Sequence, residues 1–244
     1  MNSIALYSSK GGVGKTAAAV NLSYACSRRG KKTLLCDMDP QGAASFYYRV
    51  SIKGKFNKKQ FLKGKLNNFI CSTEYPGLDV LPAHFSFRNL DLALDTNQTE
   101  QLKNIFATIA DQYDVLIFDC PPNMTLLSEN IIMASDQVVM PVIPTTLSIR
   151  ALAQLMKFFD KMGADRKKLR SFFSMVERRK NMHVDTVRTY RSKKVFFRTL
   201  VPYLADVEKM GITRAPVALS RPGSPAAMAY DRLWMEIWKR RVRN

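Results

Sequence analysis

Short apolar runs alternate with amphipathic segments along the chain of 244 residues. The apolar runs are nearly continuous, which is typical of strands buried on both faces of a parallel sheet. They predict seven strands, at 3–9, 32–39, 77–83, 113–122, 137–144, 168–177 and 195–202. The segments between them predict helices at 15–30, 97–112, 126–136, 147–163, 183–193 and 224–242. This order predicts an α/β fold, a single domain over 1–244 whose mostly parallel, twisted sheet of about seven or eight strands carries helices on both faces.

The basic residues are concentrated in the C-terminal part of the chain. The formal net charge is +18, of which residues 151–244 contribute +14 and residues 1–150 only +4. A surface of this kind favours a polyanion as partner, nucleic acid first and an anionic membrane second. No apolar run is long enough to span a bilayer, and the N-terminal segment lacks the pattern of a secretory signal. The four cysteines lack metal-ligand spacing, so we expect free thiols in a reducing cytoplasm.

A glycine-rich turn lies between the first predicted strand and the first predicted helix. Its sequence is KGGVGKT, residues 10–16. In a phosphate-binding loop, backbone N–H groups and the N-terminus of the following helix point at the phosphates. Lys15 is placed to reach the β- and γ-phosphates, and the Thr16 hydroxyl to reach Mg²⁺. The motif therefore predicts a P-loop fold, although Ser9 stands where the general pattern has its first glycine.

Three aspartates follow two of the predicted strands. Asp37 and Asp39 end the segment TLLCDMDPQG, and Asp119 ends the apolar segment DVLIFDCPP. Because the carboxyl ends of parallel strands line one crevice, we expect these carboxylates to converge on the phosphate loop. Hydrolysis at a γ-phosphate requires a metal anchor and a group that orients the attacking water. The three aspartates are the candidates for these tasks.

These motifs resemble those of the ParA/MinD ATPases, a family of P-loop proteins with a deviant Walker A sequence. KGGVGKT is similar to the family's Walker A motif, CDMDPQG to its second acidic motif and VLIFDCPP to its Walker B strand. Similarity continues at 140–158, 174–187 and 201–233, and is weakest at 47–74. The resemblance implies a Mg²⁺-dependent ATPase that forms a sandwich dimer with ATP, hydrolyses it slowly and then releases.

The resemblance also implies roles for individual residues. Lys10 matches the signature lysine, which crosses the dimer interface to the nucleotide of the partner subunit. Asp39 matches the water-orienting aspartate of switch I, with Asp37 as its neighbour, and Asp119 matches the switch II acid on the Mg²⁺ shell. The implied catalytic set is Lys10, Lys15 and Asp39, and the implied metal set is Thr16, Asp39 and Asp119. The implied nucleotide-binding set is Lys10, Gly11, Gly12, Val13, Gly14, Lys15, Thr16 and Ala17.

Two positions depart from the family pattern. Ala17 stands where relatives often have a second threonine, which removes one hydroxyl contact worth about 0.5–1.5 kcal/mol of binding. The strand segment SFFSMVE lacks the asparagine that relatives often place near the base. The sequence therefore assigns no residue to the adenine.

Members of the ParA type bind DNA without sequence preference and position a plasmid, a chromosome or a protein cargo. The resemblance then implies a bacterial protein, cytoplasmic and associated with the nucleoid, that forms a homodimer with ATP. It implies a ParB-like or other adaptor protein that stimulates hydrolysis. The candidate DNA contacts are Arg178, Arg179, Arg188, Arg191, Lys193, Lys194, Arg198 and Arg214. The lysine-rich segment 51–65 is a solvated surface or a further contact.

The competing hypothesis is a membrane-docked regulator of the MinD type. One face of the last predicted helix is apolar, and basic residues stand behind it. The apolar face comprises Leu233, Trp234, Ile237 and Trp238, and the basic residues are Lys239, Arg240, Arg241 and Arg243. The apolar positions begin earlier, at Ala226, which favours packing on the sheet and makes membrane docking the lesser expectation. A third possibility is a switch that recruits an enzyme complex and uses hydrolysis as a timer. Relatives with an iron–sulfur cluster need a second cysteine after Cys120, which this chain lacks.

Overall fold

The computed structural model describes residues 1–52, 54, 56–90, 92–94 and 100–241. The strands are β1 Asn2–Leu6, β2 Thr33–Asp37, β3 Cys71–Ser72, β4 Leu78–Leu81, β5 Val115–Asp119, β6 Gln137–Val142, β7 Leu169–Val176 and β8 Phe196–Pro202. The longer helices are α1 Lys15–Ser27, α4 Gln101–Ala107, α5 Leu126–Ala134, α6 Thr146–Lys161, α7 Asn181–Tyr190 and α11 Pro225–Arg241. The short helices are α2 Ala43–Tyr47, α3 Lys58–Leu62, α8 Ala205–Glu208, α9 Met210–Thr213 and α10 Val217–Ser220.

The eight strands form one sheet in the order β3-β4-β2-β5-β1-β6-β7-β8. Every pairing is parallel except that of β3 with β4. β5 lies between β1 and β2, and its last residue, Asp119, is level with Leu6 of β1 and Asp37 of β2. The register therefore places the phosphate loop and the ends of β2 and β5 at the same edge, here called the carboxyl edge.

Helices cover both faces of the sheet. Alternate residues of β1 show the division: Ile4 and Leu6 join the core cluster under α1 and α11, whereas Ala5 joins the cluster under α4, α5 and α6. Leu233 of α11 and Phe159 of α6 are fully buried in these two clusters. The two-sided burial explains why the strand sequences are continuously apolar.

The predicted α/β class, the parallel sheet and the helices on both faces are confirmed. Each of the seven predicted strands overlaps a strand of the sheet, and β3 is the eighth. β3 was not predicted, because a strand of two residues carries no periodicity. The short helices α2, α3 and α8–α10 were not predicted either. The predicted helix at 97–112 corresponds to α4, but 97–99 lie outside the described residues. The single domain over 1–244 stays a prediction.

The last helix is packed on the sheet. Trp234 is 2% exposed and lies 5.5 Å from Trp238 between ring centroids. The Glu236 carboxylate accepts hydrogen bonds from the backbone N–H groups of Arg198 and Thr199 on β8, each at 2.8 Å. These contacts make α11 part of the core and cover the edge strand β8.

Replacing Trp234 by Ala should lower the free energy of unfolding by about 3–5 kcal/mol, because the substitution leaves a cavity between α11 and the sheet. The control is Met235→Ala at the next residue, which is 43% exposed and should change stability by less than about 0.5 kcal/mol. Urea unfolding followed by circular dichroism measures both. Equal effects of the two substitutions would show that α11 is not a core helix.

Candidate nucleotide site

The phosphate loop, residues 7–14, connects β1 to the N-terminus of α1. Gly12 and Gly14 have φ angles of 68° and 92°, which side-chain-bearing residues rarely adopt. A Cβ at Gly14 would also lie 3.1 Å from the Ser174 Oγ on β7. Glycine therefore suits position 14 for two reasons: its backbone adopts the left-handed conformation readily, and it has no side chain to contact Ser174. Val13 is buried, whereas Gly11 and Gly12 are exposed at the end of the loop.

Lys15, the first residue of α1, points back into the loop. Its side chain is buried, and its Nζ donates a hydrogen bond to the Lys10 carbonyl oxygen at 3.1 Å. Burial lowers the pKa of the Lys15 ammonium, and the carboxylates of Asp119 and Asp39 oppose that shift. A buried ammonium held beside exposed backbone N–H groups is an arrangement suited to a phosphate.

Two fully buried carboxylates end the strands beside this lysine. Both oxygens of Asp119 and the Oδ1 of Asp37 lack a hydrogen-bond partner among the described residues. The other oxygen of Asp37 accepts from the Ser45 N–H at 2.7 Å and from the Ser45 Oγ at 2.6 Å. Burial raises the pKa of Asp37 to about 6, and burial together with Asp37 raises that of Asp119 well above its usual range. Unpartnered buried carboxylates at the end of a phosphate loop are positioned to accept a cation or a hydrogen-bond donor.

The remaining predicted ligands lie at the surface of the same site. Thr16, Ala17 and Asp39 are half-buried, and Asp39 Oδ1 accepts a hydrogen bond from the Gln41 N–H at 3.0 Å. No three of the described His, Cys, Asp and Glu side chains converge closely enough to hold a metal ion by themselves. Mg²⁺ usually binds one or two protein carboxylates together with substrate phosphates and water, and Asp39, Asp119 and Thr16 offer oxygen ligands of the kind it prefers.

Lys10 differs from Lys15 in its surroundings. It is half-buried, and its backbone N–H donates to the Ser8 Oγ at 3.2 Å. Within the described part of the chain, its ammonium makes no hydrogen bond or ion pair. The two lysines of the motif are therefore not equivalent: one is committed to the loop, and the other is available to a group outside it.

An apolar cavity of about 70 Å³, which was not predicted from the sequence, lies behind the phosphate loop. Residues from the loop, β7, β8 and α11 line it, including Gly14, Ala17, Met175, Tyr203 and Tyr230. Met175 has a φ of 53°, a strained value for such a residue, at the end of β7. No local sequence signal marks this cavity, because its walls come from segments more than 150 residues apart. A second cleft, of about 410 Å³, follows Asp39 and the loop after β5.

The predicted DNA contacts fall into separate places. Arg178 and Arg179 are exposed just after β7, at the carboxyl edge. Five others are exposed at the far end of α7, in the loop after it and on β8: Arg188, Arg191, Lys193, Lys194 and Arg198. Arg214 is half-buried, donates from Nε to the Phe46 carbonyl at 2.9 Å and lies over the Phe46 ring. The fold does not bring the predicted set together on one surface.

Replacing Asp37 by Asn should stabilise the ligand-free protein at pH 8. Because the pKa of Asp37 is raised, the folded state binds the proton more tightly, and stability falls as the pH rises from about 4 to about 6. Asn removes this cost, on the order of 3 kcal/mol, and keeps an acceptor for Ser45. Thermal unfolding from pH 4 to pH 8 should show a gain that grows with pH, whereas the exposed Asp111→Asn should show none. A gain of equal size at pH 4 would contradict the assignment.

Comparison with known proteins places this site in a family. The family model AAA_31, described as an AAA domain, matches residues 1–171. The chromosome partitioning protein ParA of Myxococcus xanthus (strain DK1622) is 30% identical over 249 residues, which cover 97% of this chain and 88% of that protein.

Two solved structures show the same fold. A plasmid partition protein from Borrelia burgdorferi B31, bound to AMPPNP, has a TM-score of 0.84 at 21% identity, covering 98% of this chain and 99% of that chain. The septum site-determining protein MinD from Pyrococcus horikoshii OT3, complexed with Mg-ADP, has a TM-score of 0.77 at 22% identity, covering 97% of this chain and 95% of that chain. The family match over 1–171 and the ParA relative carry the conclusion that this chain belongs to the ParA/MinD family of P-loop ATPases.

Proposed function

We propose that this protein is a ParA-type ATPase that dimerises with ATP, binds DNA without sequence preference and positions a cargo. The observation that carries the nucleotide part is the meeting of Lys15 with the buried, unpartnered carboxylate of Asp119 at the end of the phosphate loop. The names and bound nucleotides of the related proteins support the same conclusion.

Lys15 and the backbone N–H groups of the loop bind the phosphates of ATP. Thr16, Asp39 and Asp119 are the residues that would hold Mg²⁺, directly or through water. When bound, the metal neutralises the phosphate charge and the buried charge of Asp119. The base packs against the apolar residues around this cavity, including Ala17 and Met175, because they lie directly beside Gly14.

Asp39 orients the attacking water. It is the aspartate of the three that reaches the surface of the site, so its carboxylate meets solvent and substrate together. A carboxylate that accepts a hydrogen bond from water fixes the direction of its attack on the γ-phosphate.

Lys10 acts in the nucleotide site of a second subunit. Its ammonium is free of protein partners among the described residues, whereas Lys15 already supplies the cation in its own subunit. A lysine that crosses to the partner's phosphates links hydrolysis to dimer formation. This arrangement makes the dimer depend on ATP and allows an adaptor protein to control its lifetime.

The excess of +14 in residues 151–244 supports a polyanion partner, which we assign to DNA. The packing of α11 weighs against the MinD-type alternative, because Leu233, Trp234 and Ile237 are buried against the sheet. Trp238, the fourth residue of that face, is half-buried, with the Lys31 ammonium over its ring. No helix among the described residues has the length and apolar character needed to cross a membrane. We place the protein in the bacterial cytoplasm, on the nucleoid.

Substitutions at Lys15, Lys10 and Asp39 should each impair a different step. Lys15→Ala should weaken ATP binding on the order of 100-fold, because the buried cation is lost. Lys10→Ala should bind ATP and remain a monomer without turnover, and Asp39→Ala should bind ATP, dimerise and stop turnover. Fluorescent nucleotide titration, light scattering and phosphate release measure the three steps.

The control for these variants is Lys63→Ala, an exposed lysine outside the nucleotide site, which should behave as wild type in all three assays. Normal hydrolysis by Lys10→Ala would remove the link between Lys10 and the dimer. Normal hydrolysis by Asp39→Ala would remove its water-orienting role.

DNA binding should depend on the nucleotide and on salt. The wild-type protein should co-sediment with duplex DNA in ATP and not in ADP, and log Kobs should fall linearly with log salt, by about 0.9 for each phosphate neutralised. Anionic liposomes in the same buffers are the parallel arm. Sedimentation with liposomes alone, or DNA binding that is equal in ATP and ADP, would overturn the proposed function.

A further inference from the structure

The opposite edge of the sheet, where β6, β7 and β8 begin, carries a dense set of basic side chains. The C-terminal ends of α6 and α11, the single turn 166–168 and the loop 191–195 all meet there. We define the basic amino edge by Lys161, Lys167, Lys193, Lys194, Lys239 and Arg240. All of them are exposed except Arg240, which is half-buried. Most of these residues were not among the predicted DNA contacts.

Two hydrogen bonds join these segments into one surface. The Arg240 guanidinium donates to the Lys167 carbonyl oxygen at 2.9 Å, which ties the end of α11 to the turn 166–168. The Ser171 N–H donates to the Val195 carbonyl oxygen at 2.7 Å, which ties the loop 191–195 to β7. The end of α11, the turn 166–168 and the loop 191–195 are therefore held next to one another at this edge of the sheet.

The acids at this edge, Asp136, Asp160 and Asp165, offset only part of its charge, and Asp136 Oδ2 accepts hydrogen bonds from the Ser3 N–H and Oγ, each at 2.8 Å. Asp160 pairs with Arg166, and Asp165 Oδ1 accepts a hydrogen bond from the Lys167 backbone N–H at 2.8 Å. In the described part of the chain, the exposed lysines of the basic amino edge have no ion pair. One basic residue in the last turn of a helix stabilises the helix dipole, but Lys193 and Lys194 lie in a loop. Helix stability alone does not account for this charge.

The side chains of this edge suit the phosphate groups of a nucleic acid rather than the surface of a lipid bilayer. Helices that bind membrane surfaces pair a basic face with exposed apolar side chains. Among the described residues at 157–161, 166–170, 191–195 and 239–240, none is an exposed large hydrophobic residue. Trp238, which precedes Lys239, is half-buried, with the Lys31 ammonium 5.3 Å from its ring centroid.

We propose that the basic amino edge is the surface that contacts the phosphates of duplex DNA, at the edge of the sheet opposite the nucleotide. This inference rests on the DNA binding proposed above, and it replaces Arg178, Arg179 and Arg214 as the principal contacts. Because DNA and ATP then occupy opposite edges, ATP cannot act on DNA by direct contact. It acts by pairing two subunits, which doubles the number of basic edges on one particle.

The test compares charge reversals at three places. One variant carries Lys167→Glu, Lys193→Glu and Lys194→Glu, and a matched control carries Lys58→Glu, Lys59→Glu and Lys63→Glu at exposed positions in and just after α3. A third variant carries Arg178→Glu and Arg179→Glu at the carboxyl edge. Fluorescence anisotropy with a short duplex and a non-hydrolysable ATP analogue, over a salt series, gives affinity and slope. A neutral variant carries Lys167→Gln, Lys193→Gln and Lys194→Gln. Thermal unfolding of each protein shows whether a loss of binding comes from misfolding.

The amino-edge variant should bind at least tenfold more weakly, with a salt slope shallower by about 0.9 for each phosphate that is no longer neutralised. The neutral variant should show a smaller decrease in affinity, and the other two variants should stay within about threefold of wild type. An equal decrease in the α3 control, or a larger decrease in the carboxyl-edge variant, would overturn the assignment. If the wild-type protein binds DNA and every variant binds equally well, the assignment to the basic amino edge is wrong, but the proposed function stands. If the wild-type protein does not bind DNA, the proposed function itself is wrong.

Discussion

Parallel pairing of β5 between β1 and β2 is the constraint on which the rest of the site depends. Its register sets Asp119 level with Asp37 on one side and with Leu6, the last residue before the phosphate loop, on the other. One strand therefore brings together three segments that are far apart in sequence. A shift of one residue would turn the Asp119 side chain to the other face of the sheet and separate it from Lys15.

This arrangement lowers the stability of the folded protein when no ligand is bound. Asp119 and one oxygen of Asp37 are buried without hydrogen bonds among the described residues, and Lys15 is buried beside them. The raised pKa values of the two acids and the lowered pKa of the lysine are the signature of that cost. Groups held in this state need little reorganisation when a phosphate and a cation arrive. The same buried charges that lower the stability of the ligand-free protein therefore favour binding.

The two edges of the sheet differ in electrostatic character for a structural reason. The carboxyl edge combines lysines with buried acids around the phosphate loop, as phosphate and metal chemistry requires. At the amino edge of β6–β8, helix C-termini and loops bring lysines together, and in the described part of the chain Asp136, Asp160 and Asp165 form no ion pair with those lysines. In the proposed function, this separation keeps DNA and nucleotide on different edges of one sheet, so that they do not compete.

The sequence by itself determined the fold class, the order of the longer elements and the nucleotide motif, because buried strands and phosphate loops leave local patterns in residue type and spacing. It indicated that Asp37, Asp39 and Asp119 meet, since parallel strands end at one edge. Only the tertiary structure decided that Lys15 is buried and Lys10 is not, that Arg214 lies against Phe46, and that Met175 and Tyr203 line a cavity behind the loop. Those facts depend on contacts between segments distant in sequence, and packing alone determines which side chain is covered and which remains free.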